Sequence, residues 1–549
     1  MTECAPDSTV RSHEDVYLRR VTARLLEFFA DTTPWPRRLW EVGSVLALRE
    51  AWECGDWQHD KVLSQGAVSW FRHSLLSRLG PDRGLGGGKL RRELTGLLKS
   101  DLAAASNTRR RLAELLPRVT EGYLRRWKEA VFSDSPPDPE VLARAVAGHL
   151  LDTGHSSGAL HRWVRRLDAR EGATTAELLE EACTLSEQDD RDFEVLVPFR
   201  SVPQHQKLAG QLDEWLPPRY AAQWLTDNGV KSPPRHNGAF RYTIRAKDPV
   251  AAARAAGDKV RRLQGRRSYA RGAKRSLEPV GRVWVRGFAE PLPLSPPARG
   301  VSIPSLERER TMYAVDGSGK LDDALELAAP LDDGRPTTAV SGAWAALESL
   351  LFQPGDTGDE EGRVVAADRL ARIVACSWPR AELTALAVRH RGDAGAVTAR
   401  LAECGSNLER SRVVAEELRR GGRLNLHSPA DQAAEQRMRE LLEDPFKRLS
   451  GVWELLSGVF RRLYRQRNIV LHGGDTTAIA LSATLRSSPP LVGAGLDRIV
   501  HAWLGNGTGP LELAARAENA LTLVGDPDGP DVTELLEPPV HGNGPARRT

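Results

Sequence analysis

Apolar residues recur along most of this chain with the spacing of helices. Val16 to Phe29 carries them at roughly 3.6-residue intervals, and Trp40 to Trp52 and Leu97 to Trp127 continue the pattern. Pro136-Pro137-Asp138-Pro139 interrupts it, and helical spacing resumes from Val141 to about Leu185. The alternation then shortens. Phe193-Glu194-Val195-Leu196-Val197 and Phe240-Arg241-Tyr242-Thr243-Ile244 read as strands, and Val283-Trp284-Val285 as another. Between them, Asp248-Pro249 supplies an N-cap and a first-turn proline for a helix running to about Leu263. Residues 331–337 read as a linker, and helical spacing returns from Thr338 to about Leu523. From Pro527 the chain is rich in Pro, Gly and charge, a composition that predicts disorder.

These elements predict a multidomain, mainly α fold. An N-terminal helical region (1–189) and a small central α+β domain (190–330) precede a C-terminal helical bundle (338–525) and a disordered tail (526–549). A length of 549 residues supports several cores, since one domain averages roughly 150 residues. Composition adds little to this picture. Apolar residues at 40% and charged residues at 27% are ordinary for a globular protein, and a net charge of +4 confines any nucleic-acid signal to local patches.

The five cysteines, Cys4, Cys54, Cys183, Cys376 and Cys404, are scattered and form no CxxC pair, so reduced thiols are expected rather than disulfides or zinc. The N-terminus lacks the apolar core of a signal peptide. The longest apolar stretch, Thr338 to Phe352, is broken by Ser341, Glu348 and Ser349 and is too short to cross a bilayer. A cytoplasmic location with no membrane contact is therefore expected.

Several segments carry possible chemistry. Gly84 to Lys89 resembles a phosphate loop only superficially: it is one residue short, Leu90 replaces the hydroxyl residue, and no strand precedes it. Gly355 to Gly362 is acidic but lacks the ligand order of a calcium loop. Lys259 to Arg286 is strongly basic, with Glu278 its sole acid. There Arg266, Arg267, Arg271, Lys274 and Arg275 surround Tyr269, an arrangement able to track a phosphate backbone while the ring stacks on a base. A solvated helix face followed by a basic loop would give the same pattern.

The most informative segment is Gly451 to His472. Val452, Leu456, Val459, Leu463 and Val470 mark one buried face, widened by Leu455, Phe460, Tyr464 and Leu471. The position due on that stripe between Leu463 and Val470 is Arg467, whose charge must be paired or face a cleft. Asn468 and His472 share a face one turn apart, and Gly473-Gly474 ends the helix. A fixed cation, an amide and an imidazole thus converge on one helix end. Arginine can stabilise a phosphorane, and histidine is the residue type that moves protons near neutral pH. No acid cluster accompanies them, so neither metal nor other cofactor is expected. Spacing alone is not selective. Arg144–His149 and Arg200–His205 share it, but Pro203 breaks the second, and the first lacks the asparagine and the glycines.

Tyr464 to Gly474, YRQRNIVLHGG, resembles the RNxxxH signature of HEPN domains, and Ala343 to Leu351, AWAALESLL, resembles the first helix of the ApeA-like branch of that superfamily. The resemblance spans about 340–485. It implies an up-down helical bundle that forms a homodimer, bringing two signature helices into a composite site. It further implies catalytic roles for Arg467 and His472, a polar second position at Asn468, and support from Glu348, an acidic first-helix position that could pair with Arg467, and from Tyr464. The expected activity is a metal-independent endoribonuclease of a prokaryotic defence or toxin-like system. It would act on RNA by 2′-hydroxyl attack, with a trigger or regulatory protein as a further partner. The alternative is a non-catalytic member that binds nucleic acid, dimerises or acts as a scaffold.

Overall fold

The computed structural model describes residues 8–202, 212–271, 277–315, 319–356, 364–392 and 395–538. The N-terminal helices are α1 (Ser8–Phe29), α2 (Ser44–His59), α3 (Gln65–Leu79), α4 (Gly88–Lys99), α5 (Asn107–Thr120), α6 (Tyr123–Val131), α7 (Pro139–Asp152), α8 (Ser157–Asp168) and α9 (Thr175–Glu187). Local chemistry sets their starts. Ser64 caps α3 by accepting the Ala67 amide, Asp138 caps α7 ahead of Pro139, and Thr174 with Glu177 forms a capping box on α9.

The sheet comprises β1 (Arg191–Ser201), β2 (Trp215–Leu216), β3 (Ala239–Ala246), β4 (Glu278–Pro279), β5 (Arg282–Val285) and β6 (Phe288–Pro293). It is antiparallel in the order β2-β3-β1-β5-β6, with β4 also on β1. Helices α10 (Pro218–Asp227) and α11 (Pro249–Arg271) cover it. Val195, Val197 and Phe199 pack with Ala252, Ala256 and Val260 of α11, while Leu196 and Trp284 pack with Ala221, Trp224 and Leu225 of α10. Burial on both faces explains the nearly continuous apolar run of β1. Asp248 caps α11 as expected and also accepts the amide and hydroxyl of Ser156, fastening the sheet domain to the start of α8.

The remaining helices are α12 (Ser305–Arg308), α13 (Lys320–Ala328), α14 (Pro330–Asp333), α15 (Pro336–Leu351), α16 (Val365–Arg389), α17 (Ala396–Glu403), α18 (Asn407–Arg419), α19 (Pro429–Glu443), α20 (Pro445–His472), α21 (Leu481–Asn506) and α22 (Pro510–Leu523). Mainly α architecture with a small α+β region is thus as expected. The two helical regions, far apart in sequence, bury their apolar faces in one contiguous core. Buried ion pairs join them too. Arg37 meets Glu382 and Asp431, and Glu50 of α2 meets Arg462 and Arg465 of α20.

Two boundaries differ from expectation. Residues 331–337 are not a linker: Pro330 and Pro336 each open a helix, and Arg299 binds the carbonyls of Leu331 and Gly334 at the corner between them. The tail is docked through residue 538, because Val532, Leu535 and Leu536 are buried and Arg380, Arg412 and Arg419 pair with Glu537, Glu534 and Asp531. Residues 539–549 lie outside the described part. No helix among the described residues is long and apolar enough to cross a membrane.

Candidate functional site

Helix α20 begins earlier than its apolar stripe suggests, at Pro445, where Asp444 caps it by accepting the Lys447 amide. Leu456, Val459, Phe460, Leu463, Ile469 and Val470 are buried, and Tyr464 packs its ring 4.8 Å from that of Trp344 on α15. Those two helices, which carry the two quoted motifs, are therefore neighbours. Leu471, expected on the stripe, is 52% exposed.

The expectation for Arg467 is corrected in one respect. The guanidiniums on the buried face belong to Arg462 and Arg465, both held by the fully buried Glu50. Burial alone would raise the Glu50 carboxyl, but the two arginines overcome it and hold the group below the usual carboxylate range. Arg467 is only half-buried, and its bonds run towards the helix end. Its Nη1 donates to Oδ1 of Asn468 at 2.9 Å and lies 3.3 Å from Nε2 of His472. Asn468 is buried and His472 is exposed. Glu348 is half-buried on α15 but does not pair with Arg467, whose partners are Asn468 and His472.

An arginine N–H can only donate, so a hydrogen bond at this contact requires Nε2 of His472 to be the acceptor. The contact sets an exposed imidazole beside a permanent cation. The helix stops immediately afterwards. Gly474 takes φ +67°, and Gly473 approaches Trp57 so closely that a Cβ there would lie 2.8 Å from the indole.

Trp57 belongs to α2, and the turn that follows it forms the opposite wall of an open cleft of about 680 Å³. Gln58, Lys61, Val62, Leu63, Ser64 and Gln65 face Tyr464, Asn468 and His472 across it. The turn is tight, since the amides of Val62 and Leu63 both donate to the Trp57 carbonyl, at 2.9 and 3.0 Å, and Lys61 sits at φ +58°. Behind the helix end, Glu53 accepts the Ile479 amide at 3.2 Å through Oε1, while its Oε2 is buried without a hydrogen-bond partner among the described residues. Burial, with smaller contributions from Glu50, Asp475 and Asp56, raises the Glu53 carboxyl to about 7. Glu53, Trp57 and Lys61 were not found by sequence reasoning. Ser64 signals a helix start, but no local pattern links that turn to His472.

The basic segment lies apart from this cleft, which none of its residues lines. Arg266 is exposed and Tyr269 is 89% exposed near the end of α11, while Arg267 is half-buried with Nε and Nη2 lacking partners among the described residues. Arg271 ends the helix, and Lys274 and Arg275 lie outside the described residues. Nor do the described residues include a group of three or more His, Cys, Asp or Glu placed to hold a metal ion. Of the acidic 355–362 segment, Asp356 is bound to Arg369 and residues from 357 lie outside the described part. No protein-family model, curated protein or solved structure matches this chain.

Proposed function

We propose that the protein is a metal-independent, HEPN-like endoribonuclease of a prokaryotic defence or toxin-like system, with its reaction centre at the end of α20. The observation that carries this reading is the Arg467–His472 contact at 3.3 Å on the edge of an open cleft. In the proposed reaction substrate draws the Arg467 guanidinium onto the phosphate, which frees Nε2 of His472 to remove the proton from an RNA 2′-hydroxyl, and the freed oxygen attacks the adjacent phosphorus. The P–O5′ bond breaks, leaving a 2′,3′-cyclic phosphate; the O5′ leaving group takes a proton from water to give a 5′-hydroxyl, and His472 returns its proton to the solvent. Arg467 neutralises charge on the phosphorane, and Asn468 holds the guanidinium in place. Lys61, exposed on the opposite wall, is placed to meet a backbone phosphate. A second copy would add its own Arg467–His472 pair to a composite site, and exposed Leu471 beside His472 gives that contact an apolar element.

The test is cleavage of RNA by the purified full chain in excess EDTA. Arg467→Ala and His472→Ala should each reduce the rate by at least about a hundredfold. Unchanged cleavage by both variants, or products without cyclic phosphate ends, would overturn the proposal. The exposed Tyr269 beside Arg266 favours a second reading, a nucleic-acid-binding protein without cleavage. Binding that survives His472→Ala but is lost when Arg266, Arg267, Arg271 and Arg275 are neutralised would select it.

A further inference from the structure

A second cavity, of about 660 Å³, shares no lining residue with the α20 cleft. Helices α12, α16, α18 and α21 line it, together with Trp35 and the docked tail at Leu536 and Glu537. Arg308, Arg380, Arg410 and Arg498 all line it, against only Asp497 and Glu537 as acids. Arg308 bonds to Asp497 at 3.2 Å, and Arg380 pairs with Glu537. Arg410 donates only within its own turn, to Oδ1 of Asn407 and the Cys404 carbonyl, at 3.2 and 3.1 Å.

Arg498 has no such partner. It makes no hydrogen bond or ion pair among the described residues, and its Nε is buried without an acceptor. Burial and the neighbouring Arg380 lower this guanidinium to about 10. Four guanidiniums line the recess against two carboxylates, which Arg308 and Arg380 already engage, so the buried Nε of Arg498 is left without an acceptor, a cost that an anion would remove. The first turn of α18 also opens here, with Ser406, Asn407 and Leu408 on the wall, although its capping box already places the Glu409 carboxylate on the Gly405 and Ser406 amides. His501 is already engaged with Glu309, at 2.8 Å.

The walls are not uniformly polar. Trp35, Leu408, Ala494 and Leu536 supply flat and aliphatic surface beside the arginines. A recess of this volume suits one small ligand.

We propose that this cavity is a binding site for a nucleotide. Its phosphates are held by Arg498, Arg380 and Arg410 at the start of α18, and its base lies against Trp35. The Glu537 carboxylate occupies part of the anion position, so the tail competes with the ligand's phosphates for Arg380. The site is independent of the ribonuclease reading.

The experiment is calorimetric titration of the full chain with the four ribonucleoside diphosphates and with inorganic pyrophosphate. At least one diphosphate should bind at a single site. Arg498→Gln and Arg410→Gln should each weaken it about tenfold, and Glu537→Gln should tighten it by a similar factor. Trp35→Leu should weaken the nucleotide and leave pyrophosphate unchanged. Arg410→Gln is the control against misfolding, because its present bonds are confined to one turn. No binding of any diphosphate, or wild-type affinity in both arginine variants, would overturn the site. Pyrophosphate binding as tightly as every nucleotide would overturn the nucleotide assignment.

Discussion

Replacing Glu50 by glutamine would remove the negative charge that joins α2 to α20 while keeping nearly the same volume. Its side chain is fully buried, and those of Arg462 and Arg465 are 3% and 2% exposed. The carboxylate bonds Nε of Arg462 at 2.8 Å, and Nε and Nη2 of Arg465 at 3.2 and 2.7 Å. At an effective dielectric near 20, each attraction is worth about 4 kcal/mol before desolvation is counted. Removing one member of such a buried set typically costs about 3–5 kcal/mol, because the partners keep their desolvation penalty. The amide oxygen of the Glu50→Gln variant would still accept one hydrogen bond, so the expected loss is about 3 kcal/mol. Native-state hydrogen exchange reads this locally, as a fall in opening free energy for amides in α2 and α20. The triple variant Glu50→Leu/Arg462→Met/Arg465→Met removes all three charges and should return to within about 1 kcal/mol of the parent. Arg465 now stacks over Phe71 at 4.1 Å, a contact that methionine can replace. Protection in Glu50→Gln equal to the parent, or a triple variant as weak as the single one, would refute the reasoning.

Two further outcomes concern the cleft. The folded-state Glu53 carboxyl is raised to about 7 from 4.5, so the folded protein binds the extra proton, and this contribution to stability is lost as pH rises from about 4.5 through 7. Glu53→Gln should gain stability relative to the parent at pH 8 but not at pH 5, as read by thermal melts. An equal difference at both pH values would show that Glu53 is not the titrating group. Lys61→Gln should raise KM for RNA by about three- to tenfold with kcat little changed, and should flatten the salt dependence by about one phosphate contact. A loss confined to kcat would move Lys61 from binding to the reacting atoms.

Much of the fold is legible in the sequence because its signals are local. Asp138-Pro139, Asp248-Pro249 and the Thr174–Glu177 pair announce helix starts within three residues, and the apolar density of β1 reflects helices on both sides of it. The short strands β2, β4 and β6 lack such signals, having few residues or internal prolines. The docked tail was missed for a similar reason: Val532, Leu535 and Leu536 are too few to establish a period. At the site, Arg467, Asn468 and His472 were found together because they lie within two turns of one helix.

What periodicity cannot report is the partner of each side chain. Arg462, Arg465 and Arg467 look alike on paper, but the first two meet an acid some 412 and 415 residues away, and only the third is left to turn towards His472. That long-range pairing has a structural consequence for the cleft. Glu50 fixes α2 against α20, Trp57 lies against Gly473, and the turn after Trp57 then stands opposite His472. One wall of the candidate site therefore comes from the N-terminal helices and the other from the C-terminal ones. The buried ion pairs place the walls, and the half-buried Arg467 stands behind them, bonded to Asn468 and His472, which line the cleft.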